Sequence, residues 1–521
     1  MLSTIKLKFV NFKKFDGFIP SLNFFILFLA ATSPIFTHSP WKPHEIVEAS
    51  ILKSIFYNQS YIEFVSHQYH FSSLILLNYF SEYFEMHNLM RFTNIFWNLL
   101  IIIFIGLSSK ELFNRSVKYF SQLIFVSSFG ILIPFHLFNS ELITLCGFLI
   151  LFYSFCLAPR RKNLSYFFFG ISLFIISLVN IQNFILVFLF VCFIICLSQI
   201  YRSEWFFNFI FFGFIFYLIL KFLFLIFFAE IYNSEFNLNA SFFFSFKIIS
   251  SLHENILSFD DFFKNIVYSF WPAWPFALWS LWIHRNSFFV KREFQVLIAF
   301  FLSSILYLVF FASLTNDVIL ILNVTFSILA ASCLDKLPKT FKNLSYFFSL
   351  IFISIGFIIV ILFYNFNFLT KIPSLSHTSI FSFIAILILY LSWIILNLIV
   401  KKSIEKTVTL WSSGIIFIWL TFNILYINKL DIIKSYKPIA SSISNVMHDK
   451  SNCLNTFNLG HNEIAMVKYY TKITPTNKKC DYLLTLNSYP NTKHETRLLW
   501  SGTRLLDKSN IFRLYLITKQ Q

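Results

Sequence analysis

The chain has 521 residues, of which 57% are hydrophobic and 12% charged, and its mean hydropathy is +0.70. This excludes an ordinary soluble domain, because apolar runs long enough to cross a bilayer recur along most of the sequence and mark a polytopic membrane protein. The net charge of +17 suggests a polyanionic partner only until the cations are located: they gather in the connections on one side of the membrane, which argues against nucleic acid.

Phenylalanine, with 76 copies against 10 glycines, reads as a coding bias, since Phe serves as well as Leu on a lipid-facing helix. Stretches of about 17–23 apolar residues predict thirteen spans, near 20–37, 93–109, 119–138, 141–158, 164–181, 183–200, 206–228, 268–284, 294–314, 318–334, 345–366, 379–399 and 408–428. A basic tail precedes the first. The run "LNFFILFLAATSPIF" leads into Trp-Lys-Pro rather than a small-residue cleavage site, so it reads as an anchor and not a signal peptide.

With the N-terminus cytoplasmic, the inner connections are "KLKFVNFKKF", "KELFNRSVK", "PRRKN", "YRSE", "HRNSFFVKRE", "KLPKTFKN" and "KKSIEK". Each is basic, and the outer connections are not, which supports count and orientation together. Two outer loops are long, about 38–92 and about 229–267. Their segments "HEIVEASILKSIF" and "FSFKIISSLHENILSF" predict amphipathic helices at the membrane surface. An odd number of spans places 429–521 outside as a small α/β domain, beyond the membrane domain of 1–428. There "CDYLLTLNS" and "IFRLYLITK" read as strands, and "YKPIASSISNVMHD" and "HNEIAMVKYY" as helices.

Five of the seven cysteines lie in apolar spans, and Cys453 and Cys480 both lie in the exported tail. An oxidising compartment would join these two, with two buried free thiols as the alternative.

Candidate chemistry clusters at the outer ends of the spans. Trp41 and Lys42 are interface anchors. Glu45 and Glu48 stand three apart on one helical face, a spacing that suits a hydrogen-bonding or metal-binding task, and His44 beside them adds a titratable group. His136 and Glu141 flank the short connection between the third and fourth spans, with Glu141 equally readable as a helix N-terminal charge capped by Asn139 and Ser140. Arg91 opens the second span on the outer side, where a guanidinium either holds a phosphate or snorkels to headgroups. Lys221 lies inside the seventh span. His67 and His70 form an i, i+3 pair suited to a metal only with a third ligand.

Several of these stretches together resemble one family, the multi-span GT-C glycosyltransferases that use polyprenyl-phosphate sugars. The nearest subgroup is bacterial and family 39-like, similar to the lipid A aminoarabinose transferase and to protein O-mannosyltransferases. "WKPHE" resembles its W-x-P-D-E, "HLFNSELITLCGFLILFY" its His, Thr-Asp and Gly segment with Gly147 in place, and "FWPAWPFALWSLWIHRN" its Trp-Pro-rich span. "SYKPIASSI", the tail cysteines and "LLWSGTRLLDKSNIFRLYLI" resemble its exported domain. The chain departs from the pattern at His44, which stands where the family has Asp, and at the donor-binding lysine runs, which it lacks.

The resemblance implies a glycosyltransferase of the inner membrane that moves a sugar from a polyprenyl-phosphate donor to a lipid or cell-envelope glycan. Glu45, Glu141 and His44 would be catalytic, Arg91 and Lys221 would hold the donor phosphate, and Glu48, His136 and His70 are further site candidates. The sequence names no cofactor, although clustered His and carboxylate groups would suit a divalent metal. The competing readings are a catalytically eroded relic of the family and a transporter or flippase of lipid-linked saccharides.

Overall fold

The computed structural model describes residues 18–35, 38–58, 67–179, 182–231, 267–287, 289–311, 316–336, 404–447, 453–471, 473–476, 480–487, 496–504 and 507–517, with a few positions at 264 and between 343 and 394. Helices dominate. In chain order they are α1 (Phe18–Ala31), α2 (His44–Asn58), α3 (Phe71–Phe80), α4 (Met86–Leu112), α5 (Arg115–Val126), α6 (Phe129–His136), α7 (Ser140–Leu157) and α8 (Lys162–Val179). There follow α9 (Asn183–Leu197), α10 (Glu204–Ile231), α11 (Ala273–His284), α12 (Arg292–Phe311), α13 (Asn316–Ser332) and α14 (Ile404–Lys434).

Most predicted spans that fall on described residues coincide with a helix. Among the described residues, five helices are long and apolar enough to cross a membrane, or six with one bent pair. The predicted span 119–138 is that pair: α5 and α6 meet at 72°. Helices such as α9 and α13 are too short by themselves. The predicted spans 345–366 and 379–399 lie largely outside the described residues, as does most of the 229–267 loop.

The bundle is held by close helix contacts that lipid cannot supply. A Cβ on Gly170 of α8 would come within 2.9 Å of the Gly213 carbonyl on α10, so these two backbones touch across glycine. Gly147 does the same for α7 against Ile176 of α8, where an added Cβ would meet Ile176 Cγ1 at 2.8 Å.

α14 runs six residues past the predicted end of the last span and delivers the chain to α15 (Lys437–Met447). Beyond it come β1 (Cys453–Phe457), α16 (His461–Tyr470), β2 (Thr474–Thr476), β3 (Tyr482–Leu486), β4 (Thr496–Arg504) and β5 (Asp507–Ile517). The sheet order is β2-β1-β3-β5-β4, parallel through β2, β1 and β3 and antiparallel from β3 onward. Cys453 and Cys480 are joined in a disulfide that ties the start of β1 to the residues before β3. Ile439, Ile443 and Met447 of α15 and Ala465, Met466 and Val467 of α16 cover the sheet with Leu454, Leu484 and Leu514.

α2 packs on two sides. Ile46 packs into the core of the C-terminal sheet, while Ala49, Leu52 and Ile55 belong to the core of the bundle. Lys53 Nζ donates to the carbonyls of Lys468, Tyr469 and Thr471 at 3.0, 2.7 and 3.3 Å. A lysine there satisfies the carbonyls left unpaired at the end of α16 and favours its negative dipole end.

Candidate functional site

The buried face of α4 carries Met90, Arg91, Asn94, Trp97, Asn98 and Ile101 at helical spacing. Three polar residues on the inward face of an apolar helix need partners there. Arg91 Nε donates to Glu45 Oε1 at 2.7 Å, with 2% and 1% of the two side chains exposed. Arg91 also donates to the His38 carbonyl through Nη1 and to the Ser39 carbonyl, 3.3 Å away, through Nη2. Nη2 further lies 2.9 Å from His38 Nδ1. Four of the five guanidinium N–H directions thus have acceptors.

Glu45 sits in the first turn of α2, and its Oε2 accepts the Trp41 backbone N–H at 3.1 Å. Trp41 stacks on His38 with ring centroids 3.8 Å apart, and its Nε1 donates to Asp431 Oδ1 at 3.0 Å. Asp431, near the end of α14, also accepts Ser39 N at 3.0 Å and Ser39 Oγ at 2.9 Å. The segment from His38 to Trp41 is therefore clamped between Asp431 on one side and Arg91 on the other. Burial, followed by the Arg91 charge, holds His38 far below the usual imidazole range and keeps it neutral.

Asn94 and Asn98 position the end of α6. Asn94 Nδ2 donates to Leu137 O at 2.9 Å, and Asn98 Nδ2 donates to Phe135 O at 2.9 Å and Ala31 O at 3.2 Å. These side chains satisfy carbonyls that the end of a short helix leaves unpaired. His136, the last residue of α6, directs Nδ1 at the Ser33 carbonyl, 3.0 Å away, and its ring lies 5.1 Å from that of His38.

A second polar group lies one turn along α2. Glu48 Oε2 accepts the Tyr69 hydroxyl at 2.7 Å and pairs with His70 Nε2 at 3.0 Å. The adjoining Gln68 accepts Lys221 Nζ at 2.6 Å, so one short turn, Gln68–His70, ties α2 to α10. His70 stacks on Phe138 with centroids 5.5 Å apart. Burial alone raises the Glu48 carboxyl, but the His70 and Tyr69 hydrogen bonds outweigh it and the net direction is down.

The structure thus brings Glu45, Arg91 and His136 together and links Glu48, His70 and Lys221 nearby. His44 is exposed on the first turn of α2, outside both groups, and the imidazole beside Glu45 is His38 instead. Glu141 lies in the first turn of α7, where Asn139 Oδ1 accepts its backbone N–H at 3.0 Å. His38, Asp431, Gln68, Asn94 and Asn98 were not among the sequence candidates. The two asparagines carried a usable signal, a polar i, i+4 pair in an apolar helix. Among the described residues, no three His, Cys, Asp or Glu side chains lie together as a metal site.

No family model matches the chain, and no curated protein matches it in sequence. Solved structures do. ArnT of Cupriavidus metallidurans bound to undecaprenyl phosphate superimposes with a TM-score of 0.64 at 12% identity, covering 96% of this chain and 98% of that one, and the apo form gives the same values. The archaeal oligosaccharyltransferase AglB of Archaeoglobus fulgidus, in complex with an inhibitory peptide and a dolichol-phosphate, is 10% identical with a TM-score of 0.47 over 91% of this chain and 70% of its own. With nearly all of both chains superimposed on ArnT, this protein has the GT-C fold of the multi-span glycosyltransferases.

Proposed function

We propose that this protein is an integral membrane glycosyltransferase that takes a sugar from a polyprenyl-phosphate donor and passes it to a lipid or cell-envelope glycan. The observation that carries this reading is the end-to-end likeness to a transferase structure holding undecaprenyl phosphate. The buried charged cluster beside α2 supports it, because charge inside a membrane bundle is costly to keep without a task. On this reading 1–428 is the membrane domain, 429–521 faces the periplasm, and the site opens on the periplasmic side of a bacterial inner membrane.

In such a displacement the departing phosphate must be neutralised and the attacking group oriented. Lys221 is the better phosphate partner of the two cations, because its contact with Gln68 is neutral and exchangeable, whereas Arg91 is bound to a carboxylate. Glu45 then serves as an organiser rather than a base: both of its oxygens already accept hydrogen bonds. That saturation, with the missing lysine runs, also favours a second reading, a relic that keeps the fold and has lost turnover. Undecaprenyl phosphate binding tests the shared premise. Native mass spectrometry of the protein released from nanodiscs is expected to retain the carrier, with Lys221→Met weakening retention at least tenfold; equal retention of an uncharged polyprenol would count against a phosphate site.

A further inference from the structure

The segments that supply the buried charged cluster meet again on one turn of the C-terminal unit. Glu45 comes from α2, Arg91 from α4, and Ser39 is held by Asp431 near the end of α14. Each of these elements also reaches the last turn of α16. α2 does so through Lys53, which donates to the carbonyls of Lys468, Tyr469 and Thr471. α4 does so through His87, whose Nδ1 lies 3.0 Å from the Tyr469 hydroxyl. The end of α14 does so through Ser435, whose Oγ lies 3.3 Å from the Tyr470 hydroxyl.

Helical spacing carries these contacts to the cluster. His87 stands one turn before Arg91, at i and i+4, so the two side chains leave the same face of α4. Ser435 follows Asp431 by one turn, with its N–H on the Asp431 carbonyl at 2.8 Å, and it pairs with Trp41 in an isolated antiparallel bridge. The direction of the Tyr469 bond follows from the far side of His87. Nε2 lies 3.2 Å from Glu85 Oε2, and a carboxylate only accepts, so Nε2 carries the proton. The neutral ring then accepts the Tyr469 O–H at Nδ1. Burial, followed by Tyr470 and Glu85, pushes this phenol up and keeps the hydrogen it donates; Arg91 and Glu45 also act on it, in opposite senses.

The two hydroxyls do nothing for α16 itself, whose terminal carbonyls Lys53 already satisfies. Phenylalanine would pack there equally well. The rings meet edge to face with centroids 4.9 Å apart, so each braces the other while the oxygens point to different elements.

We propose that Tyr469 and Tyr470 are positioning residues for the candidate site, through which the C-terminal unit holds the Arg91–Glu45 pair in place by way of His87 and Ser435. This rests on the glycosyl-transfer reading. Both tyrosines act through those partners rather than on substrate, so their loss lowers turnover and leaves donor affinity nearly unchanged.

The test removes one oxygen at a time, with Tyr469→Phe and Tyr470→Phe in the full protein in lipid. Solid-state NMR of ¹⁵N-arginine-labelled protein, with the signal assigned through Arg91→Lys, is expected to show Arg91 Nε displaced in both variants. With undecaprenyl-phosphate sugars and a cell-envelope lipid extract, each variant should release undecaprenyl phosphate about tenfold more slowly at saturation, with the donor KM within about twofold of wild type. His87→Leu removes the same bond as Tyr469→Phe, so the double variant should be no slower than His87→Leu alone. An Arg91 signal that stays put, a loss confined to KM, or additive losses at Tyr469 and His87 each overturn the proposal. A wild-type protein that transfers to nothing refutes the glycosyl-transfer reading, and the Arg91 signal still judges the positioning.

Discussion

Arg91 Nε and Glu45 Oε1 lie 2.7 Å apart in a setting that water barely reaches. Withdrawing both charges from water offsets most of their attraction, but removing one strands the other. Glu45→Leu or Arg91→Leu alone is expected to destabilise the protein by roughly 3–5 kcal/mol. The double variant should recover much of that loss. Thermal unfolding of the four proteins in detergent closes the cycle, and strictly additive losses would mean that the two residues do not act as a pair.

Asp431 accepts three hydrogen bonds from Ser39 and Trp41. Asp431→Ala leaves those donors without their acceptor, at about 1–3 kcal/mol for a site of this kind. The loss should be local first. Hydrogen exchange in the segment 38–45 is expected to accelerate while the interiors of α7 and α8 keep their protection; unchanged exchange would show that Asp431 holds nothing in place.

Lys53 fastens α2 to the last turn of α16 through three carbonyls. Lys53→Met keeps the aliphatic stem and removes the donors, so about 1 kcal/mol of docking should go. Proteolysis of the C-terminal unit should then quicken with the bundle intact. A proteolysis rate equal to wild type would place the docking energy in Ile46 and its neighbours instead.

Glu48 gives stability a sign with pH. Its folded-state carboxyl lies below the ordinary value, chiefly because the His70 hydrogen bond and charge, then Tyr69, overcome the opposing effect of burial. A depressed acid contributes stability that is present above the unfolded pKa and lost as pH falls through the folded one. Glu48→Gln is expected to flatten the acid side of a melting-temperature profile below about pH 4.5. A parallel downward shift at all pH values would assign Glu48 a packing role only.

The disulfide closes a loop with a sequence separation of 27. Chain entropy for such a loop is worth roughly 3–4 kcal/mol. Cys453→Ser with Cys480→Ser should lower the unfolding temperature of the C-terminal unit, read by near-ultraviolet circular dichroism, whereas the same melting curve for the oxidised and serine proteins would mean that the bond adds nothing.

Much of the architecture was legible because a membrane helix is written in composition. Spans such as 93–109, 141–158 and 206–228 each fall within or on α4, α7 and α10. The tail helices "YKPIASSISNVMHD" and "HNEIAMVKYY" appear as α15 and α16. Hydropathy could not show that α5 and α6 break at 72°, because the two segments together read as one apolar stretch of spanning length. It could not show that α2 packs against both the bundle and the C-terminal sheet, since that depends on a surface delivered by residues far along the chain.

The site was less legible for the same reason. Glu45 and Arg91 were each visible as charges in unusual places, but that they answer one another across 46 residues is a fact of packing. His44 drew notice by adjacency to Glu45, yet neighbours on a helix point apart, and the imidazole that meets the cluster, His38, comes from the extended segment before it. Asp431 was hidden at the end of a span, where an acid looks like an ordinary boundary.

The most direct test of the central claim is turnover. Purified protein in lipid would be incubated with a panel of undecaprenyl-phosphate sugars and a cell-envelope lipid extract, with mass spectrometry for released undecaprenyl phosphate and sugar-bearing product. Release that accompanies product and falls at least a hundredfold in Glu45→Ala is the predicted result. Donor retained across the whole panel with no release would contradict it and leave a GT-C fold that binds the carrier without moving its sugar.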